Sequence, residues 1–495
     1  RSAETTMIYH SSMLPLAAVC ISLLATVPIL LSDCKPNLRE SWTLLAGIGK
    51  FLLVASMLPA VLSGHGFVFT LAEVVPEVPI QLRVDAMGMF FALVASFLWI
   101  CTSLYSIGYM RTLEEHNQTR YFASFTIAIA ATIGVAFSAN LLTLYLFYEM
   151  LSLATYPLVT HECNADARTS GRKYLTYILG TSIGLVLPAM IITYALTGTL
   201  DFTAGGILAG KASAATLTLL LVMFLVGFAK AAIMPMHGWL PAAMVAPTPV
   251  SSFLHGVAVV KVGVFSIVRI ILGIFGPGLL QNLDLGVIIT TLASITVLVA
   301  SLVALTQDNL KRRLAYSTIG QLSYMVLGIG MLSAAGMTGG ILHIAMHAFG
   351  KITLFFCAGA IYVASGKKYI SEMDGLGRRM PITYGAFLLG ALSIIGVPPL
   401  GGFISKWNLL SGTIESGQWI LLLVLLTSSL LNAAYFLPIV YRGVFAGTGG
   451  NGSPVEIREA PLFCLIPLTA TALLSVGLFF FPDVFLELVH IAVFR

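Results

Sequence analysis

The feature that most constrains this chain is the recurrence of apolar runs, each about 20 residues long, from one end of the sequence to the other. A helix rises about 1.5 Å per residue, so a run of that length crosses the hydrocarbon core of a bilayer. Such runs lie near 12–32, 42–63, 86–108, 121–138, 140–160, 173–197, 214–235, 249–275, 285–305, 314–332, 335–364, 382–411, 418–441 and 460–481. Only 9% of the 495 residues are charged, against about 25% in an ordinary soluble domain. A soluble fold of this size could not cover itself with so few polar groups. The expectation is an all-α polytopic membrane protein with about 14 transmembrane helices.

Two stretches fall outside this pattern. Residues 64–85 (GHGFVFTLAEVVPEVPIQLRVD) alternate and carry prolines, as an extended hairpin outside the membrane would. Residues 443–458 are Gly-rich and read as a loop. The first apolar run can serve as a span, so no cleavable signal is needed.

The basic residues test the topology independently. With loops numbered from the first span onward, the odd loops hold sixteen Lys and Arg, among them Lys35, Arg111, Lys311, Lys368 and Arg442. The even loops and both tails hold Arg1, Arg83, Lys211 and Arg495. Cytoplasmic loops collect Lys and Arg, which puts the odd loops inside a cell membrane and both termini outside. The net charge of +5 is scattered rather than gathered on one face, so nucleic acid is not an expected partner. The six cysteines are far apart, with no Cys-x-x-Cys pair, and read as packing thiols. No cofactor and no metal site is expected from them.

Six basic residues remain inside or at the edges of spans: Lys50, Lys230, Lys261, Arg269, Lys351 and Lys406. A charge at the bilayer centre costs about 2.5–3.5 kcal/mol on insertion scales. It persists when it is paired, lines water, or does chemistry. Lys50 and Arg269 lie about one turn from a predicted helix end, where a long side chain snorkels to the interface. Lys230, Lys261 and Lys406 lie deeper, as does Glu149 in LLTLYLFYEMLSLATYPL. One carboxylate cannot neutralise several ammonium groups, so these residues are candidates for groups that bind and release protons.

Backbone breaks accompany two of these lysines. Lys230 opens KAAIMPMHGWLPAAMVAPTPVSSF, and Lys406 closes IIGVPPLGGFISK. Interrupted helices are tolerated at membrane depth where they line a cavity or are buried in protein, and in transporters they occur as matched pairs in inverted repeats. Lysine precedes the prolines in the first and follows them in the second, the order that antiparallel repeats would give. The expected organisation is an N-terminal three-helix segment over 1–120, inverted five-helix repeats over 121–275 and 276–446 with helices 7 and 12 broken, and a final helix and tail over 447–495. His343, His347 and Lys351 are spaced i, i+4, i+8, one face of a helix, and imidazoles can pass protons in hydrogen-bonded steps. His255, close in angle to Lys261, and His237, near the first break, are accessory candidates with Lys351. The His343–His347 pair has no carboxylate or Cys nearby to complete a metal site.

The run FAKAAIMPMHGWLPAAMVAPTPVSSFLHGVAVVKVGVFSIVR, the Glu149 segment, LHIAMHAFGK and GVPPLGGFISKW together resemble the antiporter-like subunits shared by respiratory complex I, membrane-bound hydrogenases and multisubunit Mrp cation/proton antiporters. The resemblance covers nearly the whole chain and implies fourteen helices with two inverted five-helix repeats. By motif it implies a proton path through Glu149 and Lys230, a pair whose separation sets how tightly the lysine holds its proton, then Lys261, His343 and His347, ending at Lys406. GVPPLGGFISKW looks most like the D-type subunit of Mrp antiporters, whereas His255 is reminiscent of the largest complex I subunit. Ala242 stands where the family often has Asp. The resemblance implies a proton-translocating subunit of a multisubunit Na⁺ or K⁺/proton antiporter, with other membrane subunits as partners. Its alternative is the same fold in a redox-driven complex I-like or hydrogenase assembly, where the redox centres lie on other chains.

Overall fold

The computed structural model describes residues 7–446 and 456–494, so most of the Gly-rich 443–458 stretch lies outside the described residues. The chain begins with β1 (Ile8–Ser11), α1 (Leu14–Leu31) and α2 (Pro36–Leu62), then β2 (His65–Val75) and β3 (Val78–Val84). Next come α3 (Ala86–Thr112), α4 (Gln118–Ala136), α5 (Leu141–Val159), α6 (Ala165–Thr181) and α7 (Leu187–Thr197). The middle of the chain holds α8 (Ala214–Gly227), α9 (Trp239–Ala242), α10 (Thr248–Gly256), α11 (Val259–Ile270) and α12 (Pro277–Asn282). The rest is α13 (Gly286–Thr306), α14 (Leu310–Gly330), α15 (Ala334–Ser365), α16 (Pro381–Ile395), α17 (Gly401–Glu415), α18 (Trp419–Phe445), α19 (Leu462–Phe480) and α20 (Asp483–Phe494).

Among the described residues, eleven helices are long and apolar enough to cross a membrane, and each falls on an expected span. The other three expected spans differ for physical reasons. The helices α8 and α16 are apolar but short, because the chain leaves helical geometry at Phe228 and at Gly396. Helix α14 opens on Lys311, Arg312 and Arg313 and carries Gln321 in its middle, which lowers its hydropathy. Helices α2 and α6 start well before the apolar runs that announced them, since their first turns are polar. The apolar α20 was not expected: its 12 residues are too few to register as a span.

The fold is not wholly helical. β2 and β3 pair antiparallel, and β1 joins β2 in parallel, so a three-stranded sheet sits between the chain's start and the loop before α3. Asp85 caps α3 by accepting from the Gly88 amide at 2.8 Å.

Contacts between loops sort by parity. Arg39 donates to Gln118 at 2.8 Å, His116 bonds the His161 carbonyl at 2.8 Å, and Arg442 donates to Asp374 at 2.8 Å, all joining odd loops or the helix turns beside them. Arg83 donates to the Phe202 carbonyl at 2.7 Å, Gln281 to the Leu332 carbonyl at 2.8 Å, and the Ala335 amide to Glu415 at 2.9 Å, all joining even loops or their neighbouring turns. The basic loops therefore gather at one end of the helix bundle. Helix α15 is buried along its whole apolar stretch, whereas α1 turns Leu24, Val27 and Leu31 outward. A buried helix that carries His343, His347 and Lys351 is the axis around which the site is built.

Candidate functional site

The first break begins where helix α8 ends at Gly227. The next turn (Ala229–Ala231) is a single 3-10 turn closed by Ala232 at φ 54°. That turn presents Lys230, fully buried. Its Nζ donates to the backbone carbonyl of Tyr148 on α5 and rests 3.4 Å from the centre of the Tyr148 ring. Glu149, the next residue, has both carboxylate oxygens buried without a hydrogen-bond partner. No ion pair joins Glu149 to Lys230 among the described residues. The two are neighbours that do not cancel each other.

The second lysine sits on α11, directly behind this turn. Gly263, two residues past Lys261, is pressed against it: a Cβ there would fall 2.8 Å from the Lys230 Cβ. Lys261 is buried, and its Nζ lies 2.5 Å from Nδ1 of His347 on α15. The His347 Nε2 is buried without a partner, and its ring centre is 5.8 Å from that of His343.

His343 is held from two sides. Its Nε2 meets Gln321 Oε1 on α14 at 2.9 Å, and its Nδ1 meets Ser405 Oγ on α17 at 2.8 Å. An amide oxygen accepts only, so with this arrangement Nε2 donates and Nδ1 is the site that gains or loses a proton. Ser405 Oγ also lies 3.1 Å from the Gly402 carbonyl. Its hydroxyl can therefore donate to a neutral imidazole, or accept from a protonated one while donating to Gly402. Both protonation states of His343 are satisfied by one hydroxyl rotation. Such a residue can carry a proton without an unpaired group in either state.

Lys406 follows Ser405 in sequence. The break after α16, with Gly396 in the left-handed region, leaves the Ile395 carbonyl free of helical partners. Lys406 Nζ donates to it at 3.1 Å and to Ser429 on α18 at 3.1 Å. The ammonium also stands 4.7 Å from the Tyr324 ring, which neighbours His343 at 5.8 Å.

The structure thus brings Lys261, His347, His343 and Lys406 into one buried row, with Lys230 and Glu149 beside its first member. Lys351 leaves the row and donates to Ser317 at 2.8 Å, a hydroxyl that Tyr435 also approaches at 2.9 Å. His237 is half-buried beyond the first break, 6.4 Å from Tyr316, and touches no member of the row. The His255 side chain lies outside the described residues, although its helix α10 ends just before a break at Val257 and Ala258 that no proline announces.

Two basic residues differ from expectation. Lys50 does not snorkel: it is fully buried in the middle of α2, and its Nζ has no hydrogen-bond partner. The helix begins at Pro36, so the residue sits more than a turn deeper than the apolar run suggested. Arg269 does not snorkel either. It is clamped to Asp85 by two bonds of 2.6 and 2.7 Å, with the Phe265 ring 5.0 Å away, and ties α11 to the start of α3. Sequence reasoning also missed Tyr148, Gln321, Ser405 and Ser429, the polar groups that hold the row. Tyr, Gln and Ser inside apolar runs were the only signal, and many such residues bond their own helix instead.

A cavity of about 670 Å³ opens at the basic end, lined by Glu115, Asp166, Ala242, Lys311 and Lys368 among others.

Comparison with known proteins identifies the fold and the family. The family described as NADH:quinone oxidoreductase/Mrp antiporter, TM, matches residues 138–432, which contain every member of the row. The chain belongs to this family. The family described as NADH-ubiquinone oxidoreductase (complex I), chain 5 N-terminus, matches residues 75–122. The chain is 32% identical over 393 residues to NADH-quinone oxidoreductase subunit N of Desulforudis audaxviator, covering 78% of this chain and 77% of that one. It is 32% identical over 436 residues to the A/B subunit of a probable K(+)/H(+) antiporter of Rhizobium meliloti, covering 84% of this chain but only 42% of that longer protein. The same fold is found in the Mrp complex from Dietzia sp., with TM-score 0.86, 22% identity, and coverage of 97% of this chain and 96% of the other. As a member of the NADH:quinone oxidoreductase/Mrp antiporter family, the chain is an antiporter-like membrane subunit of the kind found in Mrp and complex I-like assemblies.

Proposed function

We propose that this chain is the proton-translocating subunit of a multisubunit Na⁺ or K⁺/proton antiporter in the cell membrane, closest in type to the D-type subunit of Mrp antiporters. The observation that carries the reading is the buried row Lys261–His347–His343–Lys406, whose first two members lie 2.5 Å apart and whose third is satisfied both with and without an added proton. Protons enter at the Glu149–Lys230 pair, pass Lys261 and the two imidazoles, and leave by Lys406. Water completes the gap between the two imidazoles, whose ring centres are 5.8 Å apart. Lys351, His255 and His237 serve as accessory groups. In this reading fourteen helices span the bilayer with both termini outside. Inverted repeats over 121–275 and 276–446 each contribute one broken helix, and other membrane subunits complete the cation path.

The second reading places the same row in a redox-driven pump. The identity to a NADH-quinone oxidoreductase subunit across 77% of its length favours it. Purifying the native assembly separates the two: small membrane partners alone support the antiporter, and iron–sulfur or nickel–iron subunits support the pump. In vesicles carrying that assembly, Glu149→Ala, Lys261→Ala and Lys406→Ala should each lower proton movement by about tenfold or more while the complex still forms. Full transport in all three would remove the row from the mechanism.

A further inference from the structure

Away from the row, at the basic end of the bundle, three side chains from two loops converge. Glu115 and His116 lie in the connection between α3 and α4, and His161 lies in the connection that follows α5. His161 Nε2 is 3.8 Å from Glu115 Oε2, and His116 Nδ1 is 4.0 Å from the same oxygen. All three ligand atoms fall within 4.8 Å of one another. We infer that Glu115, His116 and His161 form a binding site for a zinc-class transition-metal ion that joins these two connections.

The inference rests on three features of the geometry. First, His161 is fully buried, and neither of its ring nitrogens has a hydrogen-bond partner. Leaving a buried polar atom without a hydrogen bond is unfavourable, and the nearest carboxylate oxygen, Glu115 Oε2 at 3.8 Å, is too far to supply one. Second, His116 is pre-set as a ligand. Its Nε2 bonds the His161 carbonyl at 2.8 Å. A carbonyl only accepts, so Nε2 holds the proton and the Nδ1 lone pair faces Glu115. This is the outer hydrogen bond that metal-ligating histidines characteristically make, fixing tautomer and ring orientation. Third, the donor set is right. Two imidazole nitrogens and one carboxylate oxygen suit zinc, cobalt or nickel, and leave a fourth tetrahedral position for water. With bonds of about 2.0–2.2 Å, tetrahedral ligand atoms lie roughly 3.3–3.5 Å apart. The His116 and His161 rings are stacked, with centres 4.8 Å apart and planes at 28°, so metal binding turns at least one ring toward the carboxylate as the ligand atoms close.

Two cations and one further carboxylate neighbour the site: Arg120, whose guanidinium is turned onto the His161 carbonyl at 3.3 Å and the Cys163 thiol at 3.6 Å, and Lys311 and Glu162, which share a cavity with Glu115. Cys163 in turn lies 3.3 Å from that carbonyl, outside the three-ligand group.

The test uses the full-length chain in its native complex, stripped with chelator and dialysed against zinc or cobalt. The His116→Gln variant is the decisive one: the ring is 45% exposed, so the fold does not depend on it. Wild type should retain one metal equivalent more per copy of this chain than His116→Gln or His161→Ala. Bound cobalt should give a tetrahedral absorption spectrum, and zinc should raise the melting temperature of wild type but not of His116→Gln. Equal metal content in wild type and His116→Gln, or a zinc-insensitive melting temperature in both, would overturn the proposal and leave a plain His161–Glu115 contact.

Discussion

The two broken helices hold their lysines in different company. At the first break, Lys230 lies on a 3-10 turn, its ammonium on the Tyr148 carbonyl and ring, with the unpaired Glu149 carboxylate next in sequence to that tyrosine. At the second, Lys406 lies within regular helix, held by the Ile395 carbonyl and the Ser429 hydroxyl, with no carboxylate among its partners in the described residues. Each ammonium meets a backbone carbonyl, Lys230 that of Tyr148 on the intact α5 and Lys406 that of Ile395 at the broken end of α16. Only the first break adds a formal charge. A proton on Lys230 is therefore coupled to a neighbour that can itself change charge, whereas Lys406 is solvated by dipoles whose strength is fixed. In the proposed proton path, this contrast assigns gating to the first break and release to the second.

Substitutions would sharpen or break this contrast, in decreasing order of effect. Lys230→Ala and Lys406→Ala should both reduce proton transport by at least about 100-fold, the scale expected when a positioned acid–base group is removed, measured as pH-gradient collapse in vesicles. Glu149→Gln should reduce it by roughly tenfold, equivalent to about 1.4 kcal/mol, because Lys230 keeps its carbonyl but loses the charge beside it. If Glu149→Gln transports normally, the contrast between the two breaks fails. Ser429→Ala should cost only about twofold to threefold, since the Ile395 carbonyl still holds Lys406 and a single hydroxyl contributes about 1 kcal/mol or less net. An effect as large as that of Lys406→Ala would show instead that Ser429 relays the proton onward. Lys50→Met should leave transport unchanged and raise thermal stability, because it replaces an unpaired buried ammonium by an apolar chain of similar length. Lost transport in Lys50→Met would add the N-terminal helices to the path.

Arg269 makes the opposite case to Lys50 and marks the limit of reading charge from sequence. Both are basic residues near the ends of predicted spans, and the apolar pattern treats them alike. In the structure one is paired twice with Asp85 and the other has no hydrogen-bond partner. The difference is set by a residue 184 positions away in the chain, which no local pattern contains. Most helices were legible because bilayer thickness sets a minimum apolar length. Helix α16 leaves helical geometry at Gly396, beside the expected Gly/Pro break, but α8 leaves it at Phe228, earlier than the prolines after Lys230 announced. The His343–His347 face was legible because helical spacing is local. Its partners Gln321 and Ser405 were not, because an isolated Gln or Ser in an apolar run gives no hint of which helix it faces. The break between α10 and α11 was hidden for a related reason: no proline marks Val257 and Ala258, and the glycine before them, Gly256, is one of many in the apolar runs. The convergence of Glu115, His116 and His161 depends on loop parity. Residues 45 apart meet only because an even number of crossings returns the chain to the same end.

Gly263 has a mechanical consequence. With no side chain between α11 and the Lys230 turn, the spacing of the two lysine stations is fixed by main chain against main chain. In the proposed path, a shift of the first break would reach Lys261 with no soft side chain between to absorb it, so that opening one station re-aims the next, as two cogs on a common shaft turn together.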